Sequence, residues 1–306
     1  MPKRFPRYTG KLPLLVAALL IAANAYAGDP DLIDIKDTVK RSYKVRPGGT
    51  LELDIDRGRV AVLPGPGREV LIEVERTVTT DDRSKAEAIF ERHDLEIEER
   101  DGGIYVGSRF DNEDTFWNRI RSSTDRLTVR VRARIPENYN IEFKAGAGTV
   151  ELGSFSGDIS GVTGAGNIEI GEVSGSVDVV SGSGNIVIEG VGEELEVHTG
   201  AGNVDVRAVR GEATVKAGAG NIEVFITEQP DGDSDFSTGA GNVMVYLAGS
   251  VGVDVDAECA VGSARTDYPL KVEGKWTRKS FSGSVNGGGP DLRLYAAVGN
   301  VTLRKK

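Results

Sequence analysis

From Thr50 to Arg134 apolar and polar residues alternate in short runs. Leu51, Leu53 and Ile55 share one side of the chain, as do Val60 and Val62; Val70, Ile72 and Val74; Leu95 and Ile97; Ile104 and Val106; and Leu127, Val129 and Val131. A period of two belongs to half-buried strands. Arg57-Gly58, Pro64-Gly65-Pro66-Gly67 and Asp101-Gly102-Gly103 mark turns between them, because glycine admits positive φ and proline presets a bend. One segment departs from the pattern: Asp82 or Ser84 caps a short helix running through Lys85 to Glu91, ahead of His93. The acidic, amide-rich stretch Asp111 to Asn118 reads as a loop, and its Asp111, Asn112, Glu113 and Asp114 as either plain surface or a cation site.

From Ile141 onward the alternation acquires a longer rhythm. A Gly-small-Gly-Asn-β-branched pentapeptide begins at Gly164, Gly182, Gly200, Gly218 and Gly239, at spacings of 18 residues and finally 21, with a degenerate leading copy at Gly146-Ala147-Gly148-Thr149-Val150. Between corners the grammar is constant: Ile168, Ile170, Val173, Val177 and Val179 are followed by Ile186, Ile188, Val191, Leu195 and Val197, then by Val204, Val206, Val209, Ala213 and Val215. A fixed period this short identifies stacked repeats, each two short strands and two corners long. The expected fold is all-β: a single-stranded parallel β-helix, or β-solenoid, with about 18 residues per turn, preceded by a β-rich N-terminal segment containing one short helix. Residues 28–140 would cap the coil, and residues 141–306 would carry the repeats and a C-terminal cap, with Lys271, Lys275, Arg278 and Lys279 blunting an edge and Gly299-Asn300-Val301 echoing the corner.

Residue chemistry explains the corner. Glycine reaches the sharp bend without a Cβ clash, and asparagine tolerates the left-handed region and bonds to nearby backbone. Stacked in register, Asn167, Asn185, Asn203, Asn221 and Asn242 form a ladder of amides, structural first and a binding surface second. The outward position after the first β-branched residue runs Glu151, Glu169, Val187, Asp205, Glu223, Met244, an exposed acidic column that favours solubility and offers a weak site for cations or a basic partner.

Residues 1–27 carry Lys3, Arg4, Arg7 and Lys11, an apolar run from Leu12 to Ala23 and the small-x-small triplet Ala25-Tyr26-Ala27, the pattern of a secretory signal peptide. The run is shorter than the roughly 20 residues a membrane span needs. The leader holds four cations and no anion, so its removal takes the formal charge from −10 to −14. So acidic a chain is a poor partner for nucleic acid. Localisation is expected to be periplasmic or secreted, with no membrane span after cleavage. Cys259, the single cysteine, lies in phase with Val253, Val255, Ala257 and Val261 and reads as a small buried filler.

No motif names a reaction. His93 and His198 lack zinc spacing or triad order, asparagine stands where calcium-binding β-rolls need aspartate, and no helix follows the Gly-x-Gly corners as a dinucleotide site requires. Serines and threonines crowd the corners without an evident base. Phe225, Phe236 and Tyr246 are the main aromatics of the repeats able to stack on sugar. No cofactor, metal or catalytic residue is expected.

The segment Arg134-Ile135-Pro136-Glu137-Asn138-Tyr139-Asn140-Ile141-Glu142-Phe143, leading into Gly146 to Leu152 and the Gly-small-Gly-Asn repeats, resembles a bacterial family of adhesin-type β-strand-repeat proteins, the domain of unknown function 4097. It is also similar to the head domains of autotransporter adhesins. The resemblance covers roughly residues 40 to 304 and implies a β-helix exported to the cell envelope, with no catalytic residues to transfer. Three readings stand at this point. The first is a non-catalytic exported solenoid that binds an envelope protein or a polysaccharide; the second is an enzyme acting on a glycan along one face; the third is an envelope-stress accessory protein without a direct ligand. Oligomeric state and handedness are left open.

Overall fold

The computed structural model describes residues 32–110, 125–275 and 277–306. The leader and the loop from Asp111 to Asn118 lie outside the described residues. The described chain is all-β apart from one helix. It opens with β1 (Ile33–Lys44), β2 (Thr50–Pro64), β3 (Glu69–Thr80), α1 (Arg83–Arg92), β4 (Asp94–Arg100), β5 (Gly103–Arg109), β6 (Arg126–Ile135) and β7 (Asn140–Leu152). The repeats give short pairs: β8 (Ile159–Ala165) and β9 (Ile168–Val173), β10 (Val177–Ser183) and β11 (Ile186–Val191), β12 (Leu195–Ala201) and β13 (Val204–Val209), β14 (Ala213–Ala219) and β15 (Ile222–Ile226), β16 (Ser234–Ala240) and β17 (Val243–Leu247). The chain closes with β18 (Val253–Thr266), β19 (Val272–Lys275), β20 (Thr277–Val285) and β21 (Asp291–Lys305).

Each repeat strand pairs in parallel with its counterpart one repeat on: Val177 sits beside Leu195, Leu195 beside Ala213, Ile186 beside Val204 and Val204 beside Ile222. The result is a solenoid-like stack with two walls. The first wall is built from β8, β10, β12, β14 and β16, and the second from β9, β11, β13, β15 and β17. Alternation along each strand sends every second side chain inward, so Val177, Val179, Ile186, Ile188 and Val191 of one coil are all buried. One apolar core runs from Leu51 to Leu303.

Two features of the stack were not expressed in the repeat pattern. Arg57-Gly58 does not separate two strands: β2 runs through it and lies on β7 residue for residue, Leu51 beside Ile141 and Gly58 beside Gly148. β2 therefore forms a coil of its own, 90 residues ahead of β7 in sequence, and β5 and β6 form another beyond it. At the far end sequence order and spatial order part company. The C-terminal β21 pairs with β16 and β17 on one side and with β18 on the other. β18 is then covered by antiparallel β20, and β20 by β19, so the stretch that carries the expected edge-blunting cations is itself largely strand.

The opposite end is finished by antiparallel strands and the helix. β3 pairs with β6 and β1 with β3, while β4 pairs with β5. Asp82 caps α1 by accepting the Ser84 N–H at 2.8 Å, and α1 buries Ala86 and Ile89. Antiparallel partners at both ends change the direction of pairing, which discourages further parallel addition to the stack.

Candidate functional site

The corners hold the sequence-predicted amides in one line. The Oδ1 of Asn167 accepts the backbone N–H of Asn185 at 3.0 Å, and the same bond links Asn185 to Asn203, Asn203 to Asn221 and Asn221 to Asn242, each at 3.0 Å. The line continues to Asn300, whose N–H reaches Asn242 Oδ1 at 3.0 Å, and ends where the Ser263 N–H reaches Asn300 Oδ1 at 3.1 Å. Amide-to-amide bonds are added at the later corners: Asn221 Nδ2 to Asn203 at 3.2 Å, Asn242 Nδ2 to Asn221 at 2.8 Å, and Asn300 Nδ2 to Asn242 at 2.7 Å. Each asparagine oxygen thus takes a backbone N–H from the next coil, which ties register to side-chain chemistry. Replacing Asn203 by alanine leaves the Asn221 N–H to water and is expected to cost about 1 kcal/mol in urea unfolding, whereas Asn203→Asp keeps the acceptor and should cost less.

Inside the same corner runs a second column. Thr163, Ser181 and Thr199 are buried side by side and their hydroxyls make no hydrogen bond, whereas Thr238 Oγ1 donates to Gly220 O at 2.9 Å. Cys259 occupies the equivalent place two coils on, and its Sγ donates to Gly299 O at 2.9 Å. It is a fully buried group with a bond of its own, and burial pushes the thiol pKa up, away from nucleophilic chemistry.

The acidic residues stand on the outside of the second wall. Glu151 is beside Glu169; Val187 separates Glu169 from Asp205; Asp205 is beside Glu223, and Met244 follows. Glu151 is also within 3.6 Å of Arg59. The structure thus yields two carboxylate pairs, split by one apolar side chain. A neighbouring outward column reads Glu189, Arg207, Phe225, Tyr246. Arg207 pairs with Glu189 at 2.5 Å, and Phe225 and Tyr246, in register on β15 and β17, stack with centroids 4.3 Å apart and planes 3° from parallel. Lys306 lies 5.5 Å over the Phe225 ring and the Tyr246 hydroxyl reaches Met244 Sδ at 3.0 Å. Phe236, grouped with them in the sequence, faces the core and is fully buried.

The histidines remain far apart. His198 is on the outside of the first wall, 3.0 Å from Glu196. His93, at the C-cap of α1, shares a 3.1 Å hydrogen bond with Ser108 Oγ of β5. Fifteen residues separate this serine and histidine, and nothing in their spacing announced the pairing. Both are buried, His93 4% and Ser108 0% exposed, and the Arg76 cation lies near enough to lower the imidazole pKa further. A nucleophile would need an open approach and a base able to take a proton; burial pushes the His93 pKa down to about 4. The pair ties the residue that ends α1 to β5. Among the described residues no three histidine, cysteine, aspartate or glutamate side chains are placed to hold a metal ion.

Comparison with known proteins now bears on this geometry. The Toastrack DUF4097 family model matches residues 52–304. The chain belongs to this family. None of the curated proteins matches the Toastrack chain. Among solved structures it is similar to a putative adhesin from Bacteroides fragilis, at 14% identity over 88% of this chain and 97% of that one, TM-score 0.42. A putative adhesin from Parabacteroides distasonis gives 12% identity, 88% and 97% coverage and TM-score 0.41. A putative lipid binding protein from the same species gives 12% identity, 88% and 96% coverage and TM-score 0.34. At such identities, what each of those proteins binds stays a property of that protein. Among the described residues no helix is long and apolar enough to cross a membrane.

Proposed function

We propose that this Toastrack protein is an exported, non-catalytic binding module of the cell envelope that holds an extended polysaccharide along its second wall, in the manner of an adhesin. Residues 1–27 serve as the cleaved leader, residues 28–140 close one end of the stack and contribute its first coils, and residues 141–306 carry the repeats of both walls. The single observation that supports binding most is the half-buried, outward-facing pair Phe225 and Tyr246, standing beside Asp205, Glu223 and Arg207. The apolar surface of the two rings suits the C–H face of a sugar, and carboxylates and a guanidinium beside them suit hydroxyls. Successive coils set their outward side chains in line at strand spacing, about 4.8 Å, which favours a linear polymer over a compact ligand.

Pull-down of wild-type protein on immobilised envelope polysaccharide, compared with the Phe225→Ala/Tyr246→Ala variant, tests this. Retention of wild type and loss of the variant is the expected result. Retention of neither, or enrichment of a protein partner alone, would defeat it. Turnover of a glycan panel that disappears when Glu169, Asp205 and Glu223 are changed together to amides would instead make the chain an enzyme.

A further inference from the structure

At the N-terminal end of the first wall, two glycine turns face each other across a cleft of about 360 Å³. One turn, from Arg46 to Gly49, joins β1 to β2; the other, from Asp101 to Gly103, joins β4 to β5. Between them lies the outer face of three adjacent strands, with Glu52 of β2 in register with Tyr105 of β5 on one side and Glu142 of β7 on the other. Arg100 closes one side, its guanidinium carbon 3.9 Å from the Tyr105 ring centroid and its nitrogens committed to Glu98 at 2.5 Å and Glu96 at 3.7 Å. Among the described residues neither Arg46 nor Glu52 makes an ion pair, so a cation and a carboxylate with spare bonding capacity share one hollow. Beneath the rim lies a further polar group without a partner: Tyr139 is fully buried, its hydroxyl makes no hydrogen bond, and it stands 2.3 Å from where a Cβ on Gly49 would be.

These groups select a ligand class. A phosphate would meet the Glu52 and Glu142 carboxylates, and a metal ion or an ammonium group would meet Arg46. A hydroxyl donates to a carboxylate and accepts from a guanidinium, so a polyol satisfies both signs at once. Bare glycine at the rims lets a ring come close to peptide N–H and C=O groups. The volume falls at the small end of ligand sites, about 300–1,000 Å³, room for one or two sugar rings. We infer that this cleft is a second binding site, separate from the polymer-holding wall, and that it takes the neutral, hydroxyl-rich end of a glycan chain, with Arg46 donating to ring hydroxyls and Glu52 accepting from them.

Isothermal titration of the full chain with chitotetraose, maltotetraose, tetragalacturonate and inorganic phosphate tests the inference. Saturable binding of a neutral tetrasaccharide is expected, weakened roughly tenfold by Arg46→Ala and again by Glu52→Gln, the loss of one hydrogen bond to a charged group. His198→Ala, an outward side chain of the first wall away from the cleft, should leave this binding unchanged. Both cleft side chains are on the outside, so the variants should keep the wild-type unfolding transition, and a shifted transition is met by the reverse-charge pair Arg46→Glu and Glu52→Lys read at matched stability. No binding of either neutral tetrasaccharide, binding indifferent to both cleft substitutions, or selective binding of tetragalacturonate or phosphate overturns the inference. Polysaccharide pull-down that survives Arg46→Ala and Glu52→Gln leaves the second-wall reading standing by itself.

Discussion

Replacing Gly202 by alanine is expected to unfold the repeat stack, at a cost of about 4 kcal/mol or more, the range reserved for strained backbone or core disruption. Two effects add. Gly202 has φ +139°, a conformation that residues with a Cβ rarely adopt. A Cβ built there would sit 2.0 Å from the Gly184 carbonyl oxygen, a backbone atom that cannot move aside without parting the coils. The neighbouring corners offer the same contact, Gly184 against Gly166 O at 2.1 Å and Gly220 against Gly202 O at 2.0 Å, so relaxation at one coil meets an obstacle at the next. Gly48 makes the comparison clean. It too has positive φ, +75°, but nothing lies within 4 Å of its Cβ position, so Gly48→Ala should cost only about 1–2 kcal/mol. Urea unfolding of both variants measures the difference; equal costs would mean that backbone conformation, and not coil-to-coil contact, is what glycine supplies at the corner.

The same close approach explains which parts of the fold were legible. Corner glycine, the asparagine after it and the inward aliphatics recur because each coil imposes one geometry on the next, so the 18-residue rhythm reports parallel stacking directly. Asn300 obeys the rhythm chemically, bonding Asn242 at 3.0 Å, yet it is 58 residues away in sequence. No periodicity can reveal that, because β18 is laid one place beyond β17, β19 and β20 turn back antiparallel, and β21 returns to fill the place between β17 and β18. β2 is hidden for a related reason: its corner holds Asp56-Arg57-Gly58, which keeps only the final glycine of the motif, and 90 residues separate it from β7. Long-range pairing is set by which edge is left open, and a sequence pattern describes edges only where neighbours in sequence are neighbours in space.

The site divided along the same line. The outward columns followed from period-two alternation, since parallel register turns sequence offset into adjacency, and Glu151 with Glu169 and Asp205 with Glu223 are neighbours for that reason. Phe225 and Tyr246 are also in register, but the three-residue lengthening of the repeat between them had to be absorbed in the turn before β16 for the rings to meet. The cleft draws Arg46, Glu52, Tyr105 and Glu142 from four separate segments, and only the β5–β2–β7 order brings them together.

His93 gives the chain an acid-sensitive contact between the end of α1 and β5. In the unfolded chain its pKa is near 6.5, while in the fold burial, reinforced by the nearby Arg76 cation, pushes it down to about 4. Above pH 6.5 the imidazole is neutral in both states and contributes no pH dependence. As pH falls from 6.5 to 4 the unfolded chain binds a proton that the folded chain refuses, so stability drops progressively; below 4 both bind it and the loss stops growing. The span corresponds to about 3 kcal/mol. His93→Gln retains a group able to bond Ser108 Oγ but cannot titrate, so the stability difference between wild type and variant, followed by urea unfolding from pH 7 to pH 4, isolates this one group from the carboxylates common to both. Wild type should lose ground to the variant steadily across that window. A difference that stays flat would show that the imidazole titrates in the folded protein as it does in the unfolded chain, and would move His93 and Ser108 from the interior of the cap to a surface open to water and to chemistry.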